Sequence, residues 1–328
     1  MNKAETINIL CATDENYAPY CGIMLTSLFE SNKDYHFVVY IFEDGSVTEE
    51  NVRKYQRLAK KYGNEIVLKS IDESMVKGFP MNEQSCITIP CYYRLLAAEL
   101  LPKEVKKVIY LDGDLVVVSD IRSLWDVNLD GIAIAVVKGP SPSYEDHIIS
   151  LGYPTSFDYF NSGVLVCNLD YWREHDLMDK FVKFISKHSP DLIMMDQDVL
   201  NGVLYSEKHL LPNRYNYMNI SFLNYVWKGY AEKRRRECVE ECDKRVIVHY
   251  AGGEKPWNYQ CYGGPFFSMW EKYRRKSLWR DCRDIKPLKK HVKHMVKRYL
   301  FPSLFRKQHP EWVVTTENKK FYRDCFLD

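Results

Sequence analysis

Val108-Ile109-Tyr110-Leu111-Asp112-Gly113-Asp114 is an apolar run that ends on two carboxylates separated by a glycine. It reads as a β-strand delivering both carboxylates to the carboxyl edge of a sheet. Alternation along an extended chain sends Asp112 and Asp114 to the same side, so both can approach one cation. Gly113 leaves room for main chain to come close to a ligand. Hard carboxylate oxygens suit a divalent metal, which in turn neutralises phosphate charge. The competing reading, for the tripeptide alone, is a solvated turn that caps a strand.

Outward from this run the pattern alternates. Ile7–Ala12, Phe37–Phe42 and Ile66–Ile71 are short β-rich runs, and Lys107–Leu111 is a later one. Ala18–Glu30 and Thr48–Tyr62 carry helical spacing between them, with Val52, Tyr55 and Leu58 on one face of the second. Strands separated by helices of this length predict βαβ units and a parallel sheet. Ligands then belong at the carboxyl ends of the strands. The second half is less regular. Gly163–Asn168 reads as a strand, Tyr171–Lys187 as one amphipathic helix, Asp196–Tyr205 as another, and Pro212–Trp227 as structured loop. Val246–His249 reads as a last short strand.

Three further stretches carry polar chemistry. Val246-Ile247-Val248-His249-Tyr250-Ala251-Gly252-Gly253-Glu254-Lys255-Pro256-Trp257 delivers a histidine, then glycines and a lysine. An imidazole can complete a metal site, and one nitrogen among oxygens favours Mn²⁺ over Mg²⁺ or Ca²⁺. The glycines admit a diphosphate and Lys255 supplies a point charge to it. Phe160-Asn161-Ser162-Gly163 sets an amide and a hydroxyl at the head of an apolar strand. Met195-Asp196-Gln197-Asp198-Val199-Leu200-Asn201 opens a helix with polar groups facing several ways. Helix capping, worth about 1 kcal/mol, is the plainer account of the last stretch; paired donors and acceptors for sugar hydroxyls are the alternative.

These stretches together resemble glycosyltransferase family 8, which includes bacterial lipooligosaccharide and lipopolysaccharide glycosyltransferases and glycogenin. The matching blocks are Ala12-Thr13-Asp14-Glu15-Asn16-Tyr17, Tyr93-Arg94-Leu95, Tyr110 to Asp114, Phe160 to Val164, Asp196 to Gly202, and His249-Tyr250 to Lys255-Pro256-Trp257. The resemblance implies an α/β fold of the GT-A type, a Rossmann-like nucleotide-sugar transferase domain with a mixed, mostly parallel central sheet. It also implies metal-dependent, retaining transfer of galactose or glucose from a UDP-hexose donor to a saccharide acceptor. Carried over residue by residue, Asp112, Asp114 and His249 bind Mn²⁺ (or Mg²⁺). Ala12, Asp14, Asn16 and Tyr17 hold uracil and ribose, and Gly113, Gly252 and Lys255 meet the nucleotide's main chain contacts and diphosphate. Arg94, Asn161, Ser162, Asp196 and Gln197 surround the donor sugar, with Gln197 and Asp196 nearest the chemistry. Gln197 is a poor nucleophile, so the resemblance favours same-face attack by the acceptor over a double displacement. Lys138 stands near where some relatives offer a carboxylate.

Charge divides the chain. The formal net charge of +2 excludes a uniformly basic nucleic-acid binder, yet residues 271–328 hold 17 Lys/Arg against 7 Asp/Glu, so residues 1–270 carry −8. Leu288, Val292, Met295, Val296 and Tyr299 share helical spacing among Lys289, Lys290, Lys293, Lys297 and Arg298. This predicts a catalytic domain over 1–270 and a basic amphipathic extension over 271–328, with residues 285–305 on an anionic membrane surface. No helix-turn-helix, RNP or zinc pattern points to nucleic acid. Ten scattered cysteines, an N-terminus without signal-peptide character and no apolar run of spanning length predict a cytoplasmic, peripheral protein. Two other readings stay open: a glycogenin-like protein that glucosylates its own tyrosine, and a non-catalytic sugar-nucleotide binder.

Overall fold

The computed structural model describes residues 5–81, 88–139, 145–154, 156–222, 231–253, 255–258, 266–282 and Val296. Strands β1 (Thr6–Thr13), β2 (His36–Glu43) and β3 (Glu65–Ser70) are joined by helices α1 (Ala18–Ser31) and α2 (Glu49–Tyr62). Local signals set the bounds of α2. The Thr48 hydroxyl accepts from Asn51 N, Glu49 and Glu50 occupy the positive first turn, and Gly63 ends the helix at φ 68°.

Four later strands complete the main sheet: β4 (Lys107–Leu111), β6 (Ile134–Lys138), β7 (Phe160–Asn168) and β8 (Lys208–Leu211). The order is β3-β2-β1-β4-β7-β6-β8, and every neighbouring pair is parallel except the two that involve β7. The sheet is therefore mixed and mostly parallel, as the resemblance implies. Reversal of β7 has a direct consequence for the site. Leu111 pairs with Val164, and Asp112 N donates to Gly163 O at 2.9 Å, so the first residues of β7 lie beside the carboxyl end of β4.

A small second sheet has the order β5-β10-β9, from β5 (Leu115–Val117), β9 (Tyr217–Met218) and β10 (Ile247–His249). Antiparallel pairing of Leu115 with His249 turns the chain just after Asp114 so that the imidazole returns to it. Side chains of β1 and β4 divide between two cores: Ile7, Ile9, Cys11, Ile109 and Leu111 pack on one face of the main sheet, and Leu10, Val108 and Tyr110 on the other.

The remaining helices are α3 (Ala97–Leu100), α4 (Arg122–Trp125), α5 (Glu145–Ser150), α6 (Leu169–Glu174), α7 (Leu177–His188), α8 (Asp196–Leu204), α9 (Glu232–Glu240) and α10 (Phe267–Lys276). The single helix expected over Tyr171–Lys187 is two, α6 and α7, broken at Asp176 with φ 50°. The break brings Trp172 and Phe181 edge to face at 5.4 Å in one core, with Trp172 Nε1 donating to Ala133 O at 2.9 Å. Of the structured loop expected over Pro212–Trp227, Pro212–Phe222 holds short 3₁₀ turns and β9, and 223–227 lie outside the described residues.

The boundary expected at 270/271 falls inside α10, whose Trp270 and Tyr273 are buried in the core. Beyond it, the Trp279 indole lies on Gly22, where any β-carbon would collide with the ring, and its Nε1 donates to Asn51 Oδ1 at 2.6 Å. The basic stretch 285–305 lies outside the described residues, Val296 apart. Cys11, Cys21, Cys167, Cys238 and Cys242 are buried thiols. Among the described residues no helix is long and apolar enough to cross a membrane.

Candidate active site

One oxygen each of Asp112 and Asp114 and one ring nitrogen of His249 lie within 4.8 Å of one another. They arrive from the end of β4, the turn into β5 and the end of β10. His249 Nε2 is 3.1 Å from Asp114 Oδ1 and 3.9 Å from Asp112 Oδ2. The other ring nitrogen, Nδ1, is 2.8 Å from Asn216 Oδ1, an atom that can only accept, so Nδ1 carries the proton. Nε2 is then the ring nitrogen that faces the carboxylates. Asp114 Oδ1 is buried, and among the described residues no donor other than the His249 ring meets it. Two carboxylates and an imidazole nitrogen that converge on one point form a donor set for a divalent ion. Gly163 makes this closeness possible: a β-carbon there would overlap His249 Cε1 and stand 2.7 Å from Asp112 Oδ2. Lys255 Nζ pairs with Asp114 Oδ2 and donates to Tyr250 O at 2.9 Å. Burial acts to raise the Asp114 carboxyl, but the adjacent Lys255 charge holds it well below the usual carboxylate range.

Arg94 lies beneath these carboxylates, 5% exposed, with all three guanidinium nitrogens engaged by protein. Nη2 bonds Asp112 Oδ1 at 2.9 Å, Nη1 donates to Ser162 O, and Nε donates to Cys91 O at 2.9 Å while standing 3.1 Å from Asp196 Oδ2. The guanidinium also sits 4.2 Å from the centre of the Tyr110 ring, whose hydroxyl donates to Asp112 Oδ1 at 3.0 Å. Arg94 thus braces Asp112 from below. Burial pushes the Asp196 carboxyl up to about 6 in spite of Arg94. Ser162 is buried beside it.

Gln197 opens α8 with its side chain locked by protein groups. Oε1 accepts from Asn161 Nδ2 at 2.9 Å and from Ser162 N at 3.1 Å, and Nε2 donates to Tyr159 OH at 3.2 Å. The Tyr159 hydroxyl donates to Asp198 Oδ1 at 2.6 Å. Asp198 is fully buried and also receives Ile193 N, Met194 N and His147 Nε2, at 2.9, 2.8 and 3.0 Å.

The nucleotide-side residues expected from the sequence gather where β1 ends. Ala12 is half-buried near the strand's end. Asp14 is buried, accepting from Tyr17 N at 2.8 Å and Thr88 Oγ1 at 3.2 Å, while Asn16 is exposed. Tyr17 meets Tyr20 and Trp257 edge-on at 5.5 and 5.8 Å, and Trp257 stacks on Tyr20 at 3.7 Å. This closes the loop after β10 over the start of α1. A β-carbon at Gly113 would make ordinary contact with Tyr17, 3.5 Å away, and Gly252 holds φ 78°. Lys138 ends β6 in an exposed pair with Asp158.

The sequence reading passed over four participants. Asn216 orients His249, Gly163 gives the ligands room, Tyr110 holds Asp112, and Tyr159 ties Gln197 to Asp198. Only Gly163 had a local signal, as the small residue opening the apolar part of β7.

The sequence profile of glycosyl transferase family 8 matches residues 8–261. General stress protein A of Bacillus subtilis (strain 168) is 30% identical over 261 residues, covering 79% of this chain and 90% of that protein. The lipopolysaccharide 1,2-glucosyltransferase of Escherichia coli (strain K12) is 27% identical over 314 residues, or 92% of this chain and 89% of that one. The lipopolysaccharide 1,3-galactosyltransferase of Salmonella typhimurium (strain LT2) is 26% identical, covering 92% and 87%. The solved structure of the galactosyltransferase LgtC, in complex with donor and acceptor sugar analogs, has a TM-score of 0.72 at 23% identity, over 88% of this chain and all of that one. That likeness concerns the fold.

Proposed function

The chain belongs to glycosyl transferase family 8, and from that premise we propose retaining transfer of a hexose, galactose or glucose, from a UDP-sugar to a saccharide acceptor. The fold is GT-A and the chain is a glycosyltransferase. The observation that carries the finer reading is the convergence of Asp112, Asp114 and His249 on one point, with Lys255 alongside. A divalent cation held there, Mn²⁺ in preference to Mg²⁺, supplies a Lewis acid that offsets the charge growing on the UDP leaving group. Lys255 adds a second positive charge on the diphosphate side once substrate draws it from Asp114. Tyr17 and Asp14, at the end of β1, are assigned to the base and ribose, and Arg94 keeps Asp112 oriented. Same-face attack is supported by the character of Gln197, an amide whose oxygen is already held by Asn161 and Ser162.

The decisive measurement is UDP release from UDP-galactose and UDP-glucose, with and without acceptor, across Mn²⁺, Mg²⁺ and EDTA. Asp114→Asn and His249→Ala should each lower the rate by about 100-fold or more, as expected when a ligand of a catalytic cation is lost, and EDTA should abolish it reversibly. A full rate in EDTA would remove the cation from this reading. Hexose increments on the chain itself, seen by mass spectrometry, would instead favour self-glucosylation. We further assign the acceptor to a lipid-linked saccharide. Support comes from the lipopolysaccharide substrates named for two relatives and from the basic amphipathic pattern of residues 285–305.

A further inference from the structure

The hydrogen bonds that leave His249 on the side away from the carboxylates form one continuous chain with a single direction. His249 Nδ1 donates to Asn216 Oδ1 at 2.8 Å, and Asn216 Nδ2 donates to Asn161 Oδ1 at 2.7 Å. Asn161 Nδ2 donates to Gln197 Oε1, Gln197 Nε2 to Tyr159 OH, and Tyr159 OH to Asp198 Oδ1. Each link is a donor passing to an acceptor, and the chain ends on a buried carboxylate that can only accept.

The direction is fixed from outside as well as from its end. An amide placed the other way round would face an N–H donor with its own NH₂ group. Gly163 N points at Asn161 Oδ1 at 3.0 Å, and Ser162 N points at Gln197 Oε1 at 3.1 Å. Both backbone donors belong to β7, so the strand itself sets the orientation of two of the three amides. Asn161 Oδ1 then takes Asn216 Nδ2, and Asn216, 1% exposed, is left with Oδ1 facing His249. A flipped Asn216 would set NH₂ against Nδ1–H and leave Asn161 Oδ1 without that donor, at a cost of about 1–3 kcal/mol for each buried polar group unpaired.

We infer that this one-way chain fixes a proton on Nδ1 of His249, and that Asn216 is the positioning residue that leaves Nε2 as the nitrogen able to ligate on the side of Asp112 and Asp114. The inference rests on the reading of His249 as a cation ligand. Its chemical sense is general: an imidazole that ligates through one nitrogen binds better when the other donates to a fixed acceptor, and loss of that acceptor typically costs 10–100-fold in affinity. The chain also joins His249 to Gln197, so the residue assigned to the donor sugar and a ligand of the cation share one rigid framework.

Two measurements test it. Long-range ¹H–¹⁵N correlation on histidine-labelled, cation-free wild type at pH 8 reports the tautomer directly, with His249 assigned by its loss in His249→Gln. Protonation at Nδ1 is expected, and an Nδ1 without its proton overturns the inference without any need for a folded Asn216 variant. Mn²⁺ titration by electron paramagnetic resonance then compares wild type with Asn216→Leu and Asn216→Asp. Asn216→Leu should weaken Mn²⁺ binding by about 10–100-fold, and Asn216→Asp, which keeps an acceptor for Nδ1–H, should recover most of it. Wild-type affinity in Asn216→Leu overturns the positioning role. Absence of Mn²⁺ binding by the wild type would strike the cation reading instead, with the tautomer still deciding the fate of the hydrogen-bond chain.

Discussion

At Gly163 a hydrogen atom stands where any other residue would carry a β-carbon, and two assigned ligands occupy the space. Gly163→Ala would put that carbon against His249 Cε1 and 2.7 Å from Asp112 Oδ2. Backbone cannot yield easily, because Gly163 O receives Asp112 N across the β4–β7 ladder. The imidazole must move, and with it the ligand geometry. The expected outcome is a loss of Mn²⁺-stimulated UDP release of about 100-fold, with a stability cost of about 1–3 kcal/mol typical of overpacking. Rate and thermal midpoint measured together check it; an alanine variant with wild-type turnover would mean that the site tolerates a wider spacing. At this scale the sequence was informative where a strand's alternation and its end coincide. Asp112, Asp114 and His249 each follow a short apolar run, so both their side of the sheet and their position at its edge were legible. Asn216 was not, because its use depends on β9 pairing with β10, and β9 is two residues long. Nor was the burial of Arg94 between Asp112 and Asp196, since nothing local separates a sugar-facing arginine from a bracing one.

Elements with strong local signals were legible as units. β1, α1, β2, α2 and β3 lie within a residue or two of their expected bounds, because amphipathic spacing and caps act over one segment at a time. Strand β10, though short, was legible as Val246–His249, whereas the weak elements, β5 and β9, are short and are held by partners distant in the chain. Helix α10 is another such case, fixed by what it touches. Its Lys276 Nζ bonds Glu30 on α1 at 2.7 Å, and Tyr62 at the end of α2 donates to the same carboxylate. Burial acts to raise the Glu30 carboxyl, yet Lys276, Tyr62 and Lys33 bring it down to about 2. A carboxyl lowered on folding stabilises the fold above its unfolded value, near 4.5, and that contribution disappears as the pH falls towards 2. Glu30→Gln should therefore be less stable than wild type at pH 7, with the gap closing between pH 4.5 and pH 2. Urea denaturation at stepped pH reads this directly, and a constant gap across that window would locate the effect in packing rather than charge.

For the molecule as a whole, the charge division needs a new border. Part of the positive charge beyond residue 270 is internal to the fold: Arg274 is buried and bonds Glu271 through two nitrogens at 2.7 Å, Arg275 bonds the same carboxylate, and Lys276 pairs with Glu30. Residues 283–328 hold 12 Lys/Arg and 5 Asp/Glu, a net +7, which leaves −5 on residues 1–282. A cut at 270 would remove Tyr273 and Trp279 from the core and expose the bare face of Gly22, so it would damage the catalytic body. A cut after Cys282 leaves those contacts in place and separates the two charges. A Lys or Arg near an anionic bilayer surface contributes about 1 kcal/mol, and the attraction weakens within a Debye length. The full chain should therefore sediment with vesicles containing anionic lipid and release them as salt rises. Residues 1–282 should stay in the supernatant while keeping Mn²⁺-dependent UDP release and a thermal midpoint close to that of the full chain. Equal sedimentation of both proteins would move the membrane-binding surface onto the body. Loss of UDP release in the shorter one would make residues 283–328 part of the catalytic unit rather than an attachment to it.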